Sequence, residues 1–257
     1  MLNNIFDSHS HYDDERFDED RDELLFNMKE KGVCGIIHAA TDIVSSEKGI
    51  EYAEKYPNFY TSIGIHPECV EKLEDDYIER LEKSAQNKKV VAIGEIGLDY
   101  YWTKETKEKQ LEVFENQLIL AQKLKLPVII HSREATQDCM ELLKKYKPTG
   151  VMHCFSGSAE TAKEVLKLGM YISFTGAITF PKSFKAQEAL AVIPMDRLLL
   201  ETDCPYMAPV PNRGKRCDSS MIAYTAEKVA ELKGISAQEV LDITTENTKS
   251  LFDIKLI

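Results

Sequence analysis

Short apolar runs alternate along this chain with longer, charged stretches whose apolar residues recur at helical spacing. The runs predict eight strands: Ile5 and Phe6 leading into Asp7, then residues 33–40, 58–66, 90–95, 127–131, 150–155, 171–174 and 197–203. The intervening stretches predict helices over 17–31, 46–55, 77–84, 104–124, 134–146, 159–168 and 183–192, and two more over 221–232 and 237–251. Gly32 ends the first of these, as a left-handed C-terminal cap does. The strand runs are continuously apolar rather than alternating, the mark of parallel strands buried on both faces. Strand and helix alternate at intervals of about thirty residues, which predicts an α/β fold with a parallel sheet. Eight such units fit a (β/α)8 TIM barrel, one domain over residues 1–257, better than an open doubly wound sheet. No Gly-x-Gly-x-x-Gly follows the first strand and no Gly-Lys-Ser/Thr loop occurs, so the usual nucleotide cradles are absent.

Composition narrows the class. With 43% apolar residues in 257, the chain can bury a large core. No apolar run approaches the eighteen or so residues of a membrane span, so no membrane association is expected. No basic and apolar leader opens the sequence, and the six cysteines form no Cys-x-x-Cys pair, so reduced thiols and a cytoplasmic location are expected. The formal net charge of −11 disfavours a general grip on nucleic acid. It leaves room for a nucleic-acid enzyme whose site is locally inverted by metal ions and a basic patch.

The candidate chemistry lies at the strand ends. His9 and His11 are two residues apart in extended chain, so both imidazoles aim to one side. Alone, such a pair is a weak signal. All six histidines, however, fall at or just past the end of an apolar run: His9 and His11, His38, His66, His131 and His153. Glu95 and Asp203 end two further runs. In a parallel barrel these ends share one rim, where barrel enzymes carry their chemistry. His9, His11, Glu95, His131, His153 and Asp203 form a mixed nitrogen and oxygen donor set, more than one tetrahedral ion needs. Two divalent cations bridged by Glu95 would use all six, with His9, His11 and Asp203 on one and His131 and His153 on the other. Asp7 is placed to orient one imidazole from behind. Cys154 and Cys204 are expected to point away as packing residues, and His38 to be a satisfied core residue.

The sequence resembles the TatD family of metal-dependent deoxyribonucleases, within the amidohydrolase-like barrels, over nearly its whole length. The motifs that carry the resemblance are Asp7-Ser8-His9-Ser10-His11, Gly64-Ile65-His66-Pro67, Gly94-Glu95-Ile96-Gly97-Leu98-Asp99-Tyr100, Pro127-Val128-Ile129-Ile130-His131-Ser132-Arg133 and His153-Cys154-Phe155-Ser156-Gly157. Glu201-Thr202-Asp203-Cys204-Pro205 and Asn212-Arg213-Gly214-Lys215-Arg216 complete the set. The resemblance implies the same six metal ligands. It also implies 3′ to 5′ exonuclease action, which no spacing in the chain shows. One departure stands in Cys217-Asp218-Ser219, where the family commonly has Asn-Glu-Pro.

The expected reaction is phosphodiester hydrolysis of single-stranded or frayed DNA, with RNA open as a second substrate and no obligate protein partner. Two divalent ions (Zn²⁺, Mg²⁺ or Mn²⁺) activate the water. Asp203 is the candidate general base and Glu95 the bridging carboxylate. His66, Arg133, Arg213 and Arg216 are candidate phosphate contacts. Tyr100, with Tyr101 and Trp102 beside it, is a candidate base-stacking platform. Two rivals stay open. One is hydrolysis of another ester or amide on the same site, a D-aminoacyl-tRNA deacylase above all. The other is a metal-binding barrel without catalysis.

Overall fold

A computed structural model of the chain describes residues 2–256. Among them, eight strands form one sheet in sequence order: β1 (Ile5–Ser10), β2 (Val33–His38), β3 (Phe59–Ile63), β4 (Val90–Asp99), β5 (Val128–Arg133), β6 (Gly150–Met152), β7 (Tyr171–Phe174) and β8 (Leu198–Leu200). Every neighbouring pair is parallel. The sheet closes just beyond its last strand. The His11 amide donates to the Cys204 carbonyl at 2.8 Å, and the Asp203 amide to the His9 carbonyl at 3.0 Å. The result is the expected (β/α)8 barrel.

Helices wrap the outside: α1 (Arg21–Phe26), α2 (Ile43–Lys55), α3 (Tyr77–Ser84), α4 (Lys107–Leu124), α5 (Thr136–Tyr146), α6 (Ala159–Lys167), α7 (Phe184–Val192), α8 (Ile222–Lys233) and α9 (Ala237–Phe252). Alternation along the strands divides the core in two. Ile5, Ile36, Phe59, Val90 and Val128 face the helices. Phe6, Ile37, Tyr60, Val91, Ile129, Val151 and Leu199 fill the interior, plugged by Leu251, Phe252 and Ile254. All of these strand residues but Ile37 lie second in their strands, so the plug closes the end opposite the histidines.

Two elements differ from expectation. The helix over 17–31 is broken into a 3-10 turn at Glu15–Phe17, α1, and a second 3-10 turn at Met28–Lys31. Phe17, Leu24, Leu25 and Met28 are all buried, so the helical periodicity is real. Side chains override it. The Arg21 guanidinium donates to the backbone carbonyls of Tyr12 (2.6 Å) and Asp14 (3.2 Å), and this holds the first turn in another shape. Gly32 does stand at φ 86°, the left-handed cap.

The second difference is β4. It runs ten residues to Asp99 rather than ending at Glu95. Its pairing with β5 continues through Gly97 opposite His131 to Asp99 opposite Arg133. Gly97 permits this: its φ is +147°, and a Cβ there would stand 1.9 Å from the His131 carbonyl oxygen.

Candidate metal centre

Three strand residues and three residues that follow strands supply the donors. His9 belongs to β1 and His11 follows it; Glu95 belongs to β4 and His131 to β5. His153 and Asp203 stand just past β6 and β8. Both ends leave their strands sharply. Cys154 has φ 43° and Asp203 φ 60°, left-handed positions that side chains seldom occupy and that cluster at functional sites.

Glu95 is the hub, 3% exposed. Its Oε1 lies 2.8 Å from His131 Nδ1, 2.8 Å from His153 Nε2 and 3.4 Å from His66 Nε2. Its Oε2 lies 3.2 Å from His9 Nε2 and 3.7 Å from His11 Nε2. Asp203 Oδ1 closes the ring, 3.1 Å from His11 Nε2 and 3.7 Å from His9 Nε2. The carboxylate of Glu95 therefore shows one oxygen to each half of the ring.

The donor set fits divalent cations. His9 Nε2 and His11 Nε2 stand 3.1 Å apart, and both also face carboxylate oxygens. Protons shared pairwise cannot satisfy so many converging lone pairs, whereas a cation can. Three groups of donor atoms lie within 4.8 Å of one another: His9, Glu95 and His153; His9, His11 and Asp203; His66, Glu95 and His131.

Partners behind the rings fix which nitrogen faces inward. His11 Nδ1 pairs with the Ala39 carbonyl at 2.9 Å, which leaves Nε2 for the centre. His131 turns the other way: Nε2 pairs with Asp99 Oδ2 at 3.0 Å, and Nδ1 faces Glu95. His153 Nδ1 lies 3.5 Å from Glu201 Oε1. His66 is different. Its Nδ1 accepts the Glu68 amide at 3.2 Å, so a neutral ring carries its proton on Nε2, the atom that faces Glu95. That makes His66 a hydrogen-bond donor at the centre rather than a lone-pair ligand.

Charge at the centre is strongly polarised. Burial would push Glu95 up, but His153, His66 and His9 around it hold it well below the usual carboxylate range. Asp203 is likewise held low against burial by His11, His9 and His153. Burial pulls His11 down, yet Asp203, Glu95 and Asp13 push it up to about 9. His131 and His153 rise against burial, the first through Asp99 and Glu95 and the second through Glu95 and Glu201. Of the four imidazoles in the donor set, His9 is the one that falls below its ordinary value, because burial and His153 outweigh Glu95.

The ring opens into a cavity of about 1300 Å³ at the strand ends. Arg133, Arg213 and Trp102 line it. The Arg133 guanidinium stacks over Tyr101 at 4.1 Å and Trp102 at 5.4 Å, and Arg213 over Phe180 at 4.4 Å. Two expected substrate contacts sit elsewhere. Arg216 makes a two-pronged ion pair with Asp20, donates to the Arg16 carbonyl at 2.7 Å and lies over Phe17. Tyr100 gives its hydroxyl to Asp138 at 2.7 Å, with Lys107 over its ring. Both are tied into packing away from the cavity wall, whereas Trp102 lines it.

Two further expectations change, those for Asp7 and Cys154, while Cys204 and His38 are core residues as expected. Asp7 touches no imidazole: it accepts from Thr202 Oγ1 and Ser219 Oγ, each at 2.6 Å, and from the Thr202 amide at 3.0 Å. Burial pushes it up to about 7 against those bonds. Cys154 lines the cavity instead of pointing away, whereas Cys204 is fully buried. His38 is a core residue, 3.3 Å from Ser45 Oγ and pushed down by burial to about 4. Asp99 and Glu201 are not singled out by the sequence alone; Asp99 lies on β4 four residues beyond Glu95, and Glu201 directly follows β8, two residues before Asp203.

Known proteins share this architecture. The family model described as "TatD related DNase" matches residues 6–253. An uncharacterized metal-dependent hydrolase of Bacillus subtilis, YabD, is 44% identical over 254 residues, covering 97% of this chain and 99% of its own. The 3′-5′ ssDNA/RNA exonuclease TatD of Cronobacter sakazakii is 33% identical over 257 residues, covering 96% of this chain and 97% of its own. The crystal structure of YjjV, a TatD homologue from Escherichia coli K12, superposes with a TM-score of 0.92 at 33% identity, over 99% of this chain and 100% of that one. Among the described residues, no helix is long and apolar enough to cross a membrane. By its sequence and its fold, the chain belongs to the family of TatD-related DNases and is a metal-dependent hydrolase of that family.

Proposed function

We propose that this hydrolase cuts phosphodiesters of single-stranded nucleic acid from the 3′ end, DNA first and RNA second, in the cytoplasm. The observation that carries the reading is the division of Glu95, with Oε1 toward His131 and His153 and Oε2 toward His9 and His11. A carboxylate shared in this way suits two divalent cations: one on His9, His11 and Asp203, the other on His131 and His153, with Glu95 between them. Bound there, Zn²⁺, Mg²⁺ or Mn²⁺ would lower the pKa of water and stabilise charge on the phosphoryl oxygens.

The chain's own residues supply the rest. Asp203 is the proposed general base: Oδ1 faces His11, while Oδ2 makes no hydrogen bond among the described residues and is free to take a proton from the attacking water. His66 donates from Nε2 to a phosphoryl oxygen, since its Nδ1 is engaged by the Glu68 amide. Arg133 and Arg213 neutralise backbone phosphates at the cavity wall, and Trp102 beside Arg133 offers a face for a base. The 3′-5′ ssDNA/RNA exonuclease of Cronobacter sakazakii supports the substrate class and the direction.

A mass-resolved digest of a single-stranded oligonucleotide, repeated with each cation, tests the reading. The expected result is a ladder shortened from the 3′ end with release of mononucleotides. An intact oligonucleotide under every cation, alongside release of amino acid from a charged tRNA, would overturn it in favour of ester hydrolysis.

A further inference from the structure

Charge around the cavity mouth is divided by sector. The cations all follow β5 to β8: Arg133 ends β5, Lys182 and Lys185 follow β7, and Arg213 follows β8. All four are exposed, and none forms an ion pair among the described residues. The remaining mouth, after β1 and β3, is acidic, with Asp13, Asp14 and Glu68. Arg16 neutralises Asp14 through two contacts of 2.9 Å. Among the described residues, Asp13 meets only the imidazole of His38, at 3.9 Å, and the exposed Glu68 carboxylate has no cation within ion-pair distance. The mouth of this acidic protein thus carries four unpaired positive groups on one side and two unpaired negative groups on the other.

A nucleic-acid strand has one negative charge per link. Its body is attracted to the β5–β8 side and repelled from the β1–β3 side. A strand running straight across would press a phosphate against Asp13 and Glu68. A strand that ends at the metal centre with a free hydroxyl places only an uncharged sugar there. A terminal phosphate restores the repulsion, with up to two negative charges.

Building on the nuclease reading above, we infer that Asp13 and Glu68 form a terminal subsite that selects an unphosphorylated 3′ end, while the body of the strand lies along Arg133, Lys182, Lys185 and Arg213. The two carboxylates act by repulsion, so they set which ends are accepted rather than how the bond is broken.

Three substrates of the same base composition test this with the full-length protein and Mn²⁺: a single strand ending in 3′-OH, the same strand ending in 3′-phosphate, and a closed circle. The 3′-OH strand is expected to shorten. The 3′-phosphate strand is expected to shorten about tenfold more slowly at low salt, with the gap narrowing as salt screens it. The circle is expected to stay intact, and a 5′-phosphate to change nothing. In Glu68→Gln, an exposed and structurally mild change, the gap should shrink, and in Glu68→Gln with Asp13→Asn it should shrink further. Equal rates on the two ends or an undiminished gap in both variants would overturn the subsite and leave the nuclease reading standing; cleavage of the circle would overturn the subsite together with the 3′-end direction. No shortening of the 3′-OH strand would remove both.

Discussion

The two halves of the donor ring are supported from behind by different means. On the β4–β6 side, carboxylates do it: Asp99 holds His131, and Glu201 lies behind His153. On the β1–β8 side, neutral groups do it. The Ala39 carbonyl holds His11, and Asp7, Thr202 and Ser219 knit the barrel seam without touching a ring. The first arrangement raises the basicity of the ligands it supports. The second fixes positions and adds little charge. One half of the centre is therefore tuned electrostatically and the other geometrically, and Glu95 joins them.

The largest effect should come from the reactive carboxylate. Asp203→Asn keeps the shape but loses the base, and kcat should fall by about 10²- to 10⁴-fold with the fold intact by circular dichroism. Near-wild-type turnover would remove Asp203 from that role. Next is Asp99→Asn, which leaves His131 without its anionic partner. Metal affinity or activity should fall by about 10- to 100-fold in a metal titration. A loss as large from Asp7→Asn would erase the contrast between the two halves.

A pH titration sharpens the same contrast. With its value pushed up to about 9, His11 carries a proton at pH 7 that an incoming cation must displace. Cation uptake should release protons at pH 7, and apparent affinity should rise with pH until about 9 and then level off. Calorimetry in two buffers of different ionisation enthalpy measures the release, and an affinity flat from pH 6 to 9 would contradict it. The smallest effect belongs to the seam. Ser219→Ala removes one hydrogen bond to Asp7 and should cost about 1 kcal/mol of stability, read as a lower Tm, without changing metal content.

Much of this was legible in the chain. Continuous apolar runs at regular intervals specify a parallel barrel because nothing else buries both faces of so many strands. The same logic puts His9, His11, His131 and His153 at one rim. What escaped depends on contacts between distant segments. Asp20, 196 residues away in sequence, ties Arg216 to the segment before α1, beside Arg16 and Phe17, rather than to the cavity. The β4–β5 register, set by Gly97, decides that Asp99 reaches His131. No local pattern separates a carboxylate that ligates from one that stands behind a ligand. The helix over 17–31 failed for a related reason: its apolar spacing was right, but Arg21 reaches back to the carbonyls of Tyr12 and Asp14.

The central claim is that Glu95 bridges two cations, and anomalous diffraction from crystals soaked in Mn²⁺ tests it most directly. Two peaks about 3.5–4 Å apart are expected, one beside His9, His11 and Asp203 and the other beside His131 and His153, each within coordinating reach of a different Glu95 oxygen. A single peak that leaves either half of the ring without an ion would contradict it.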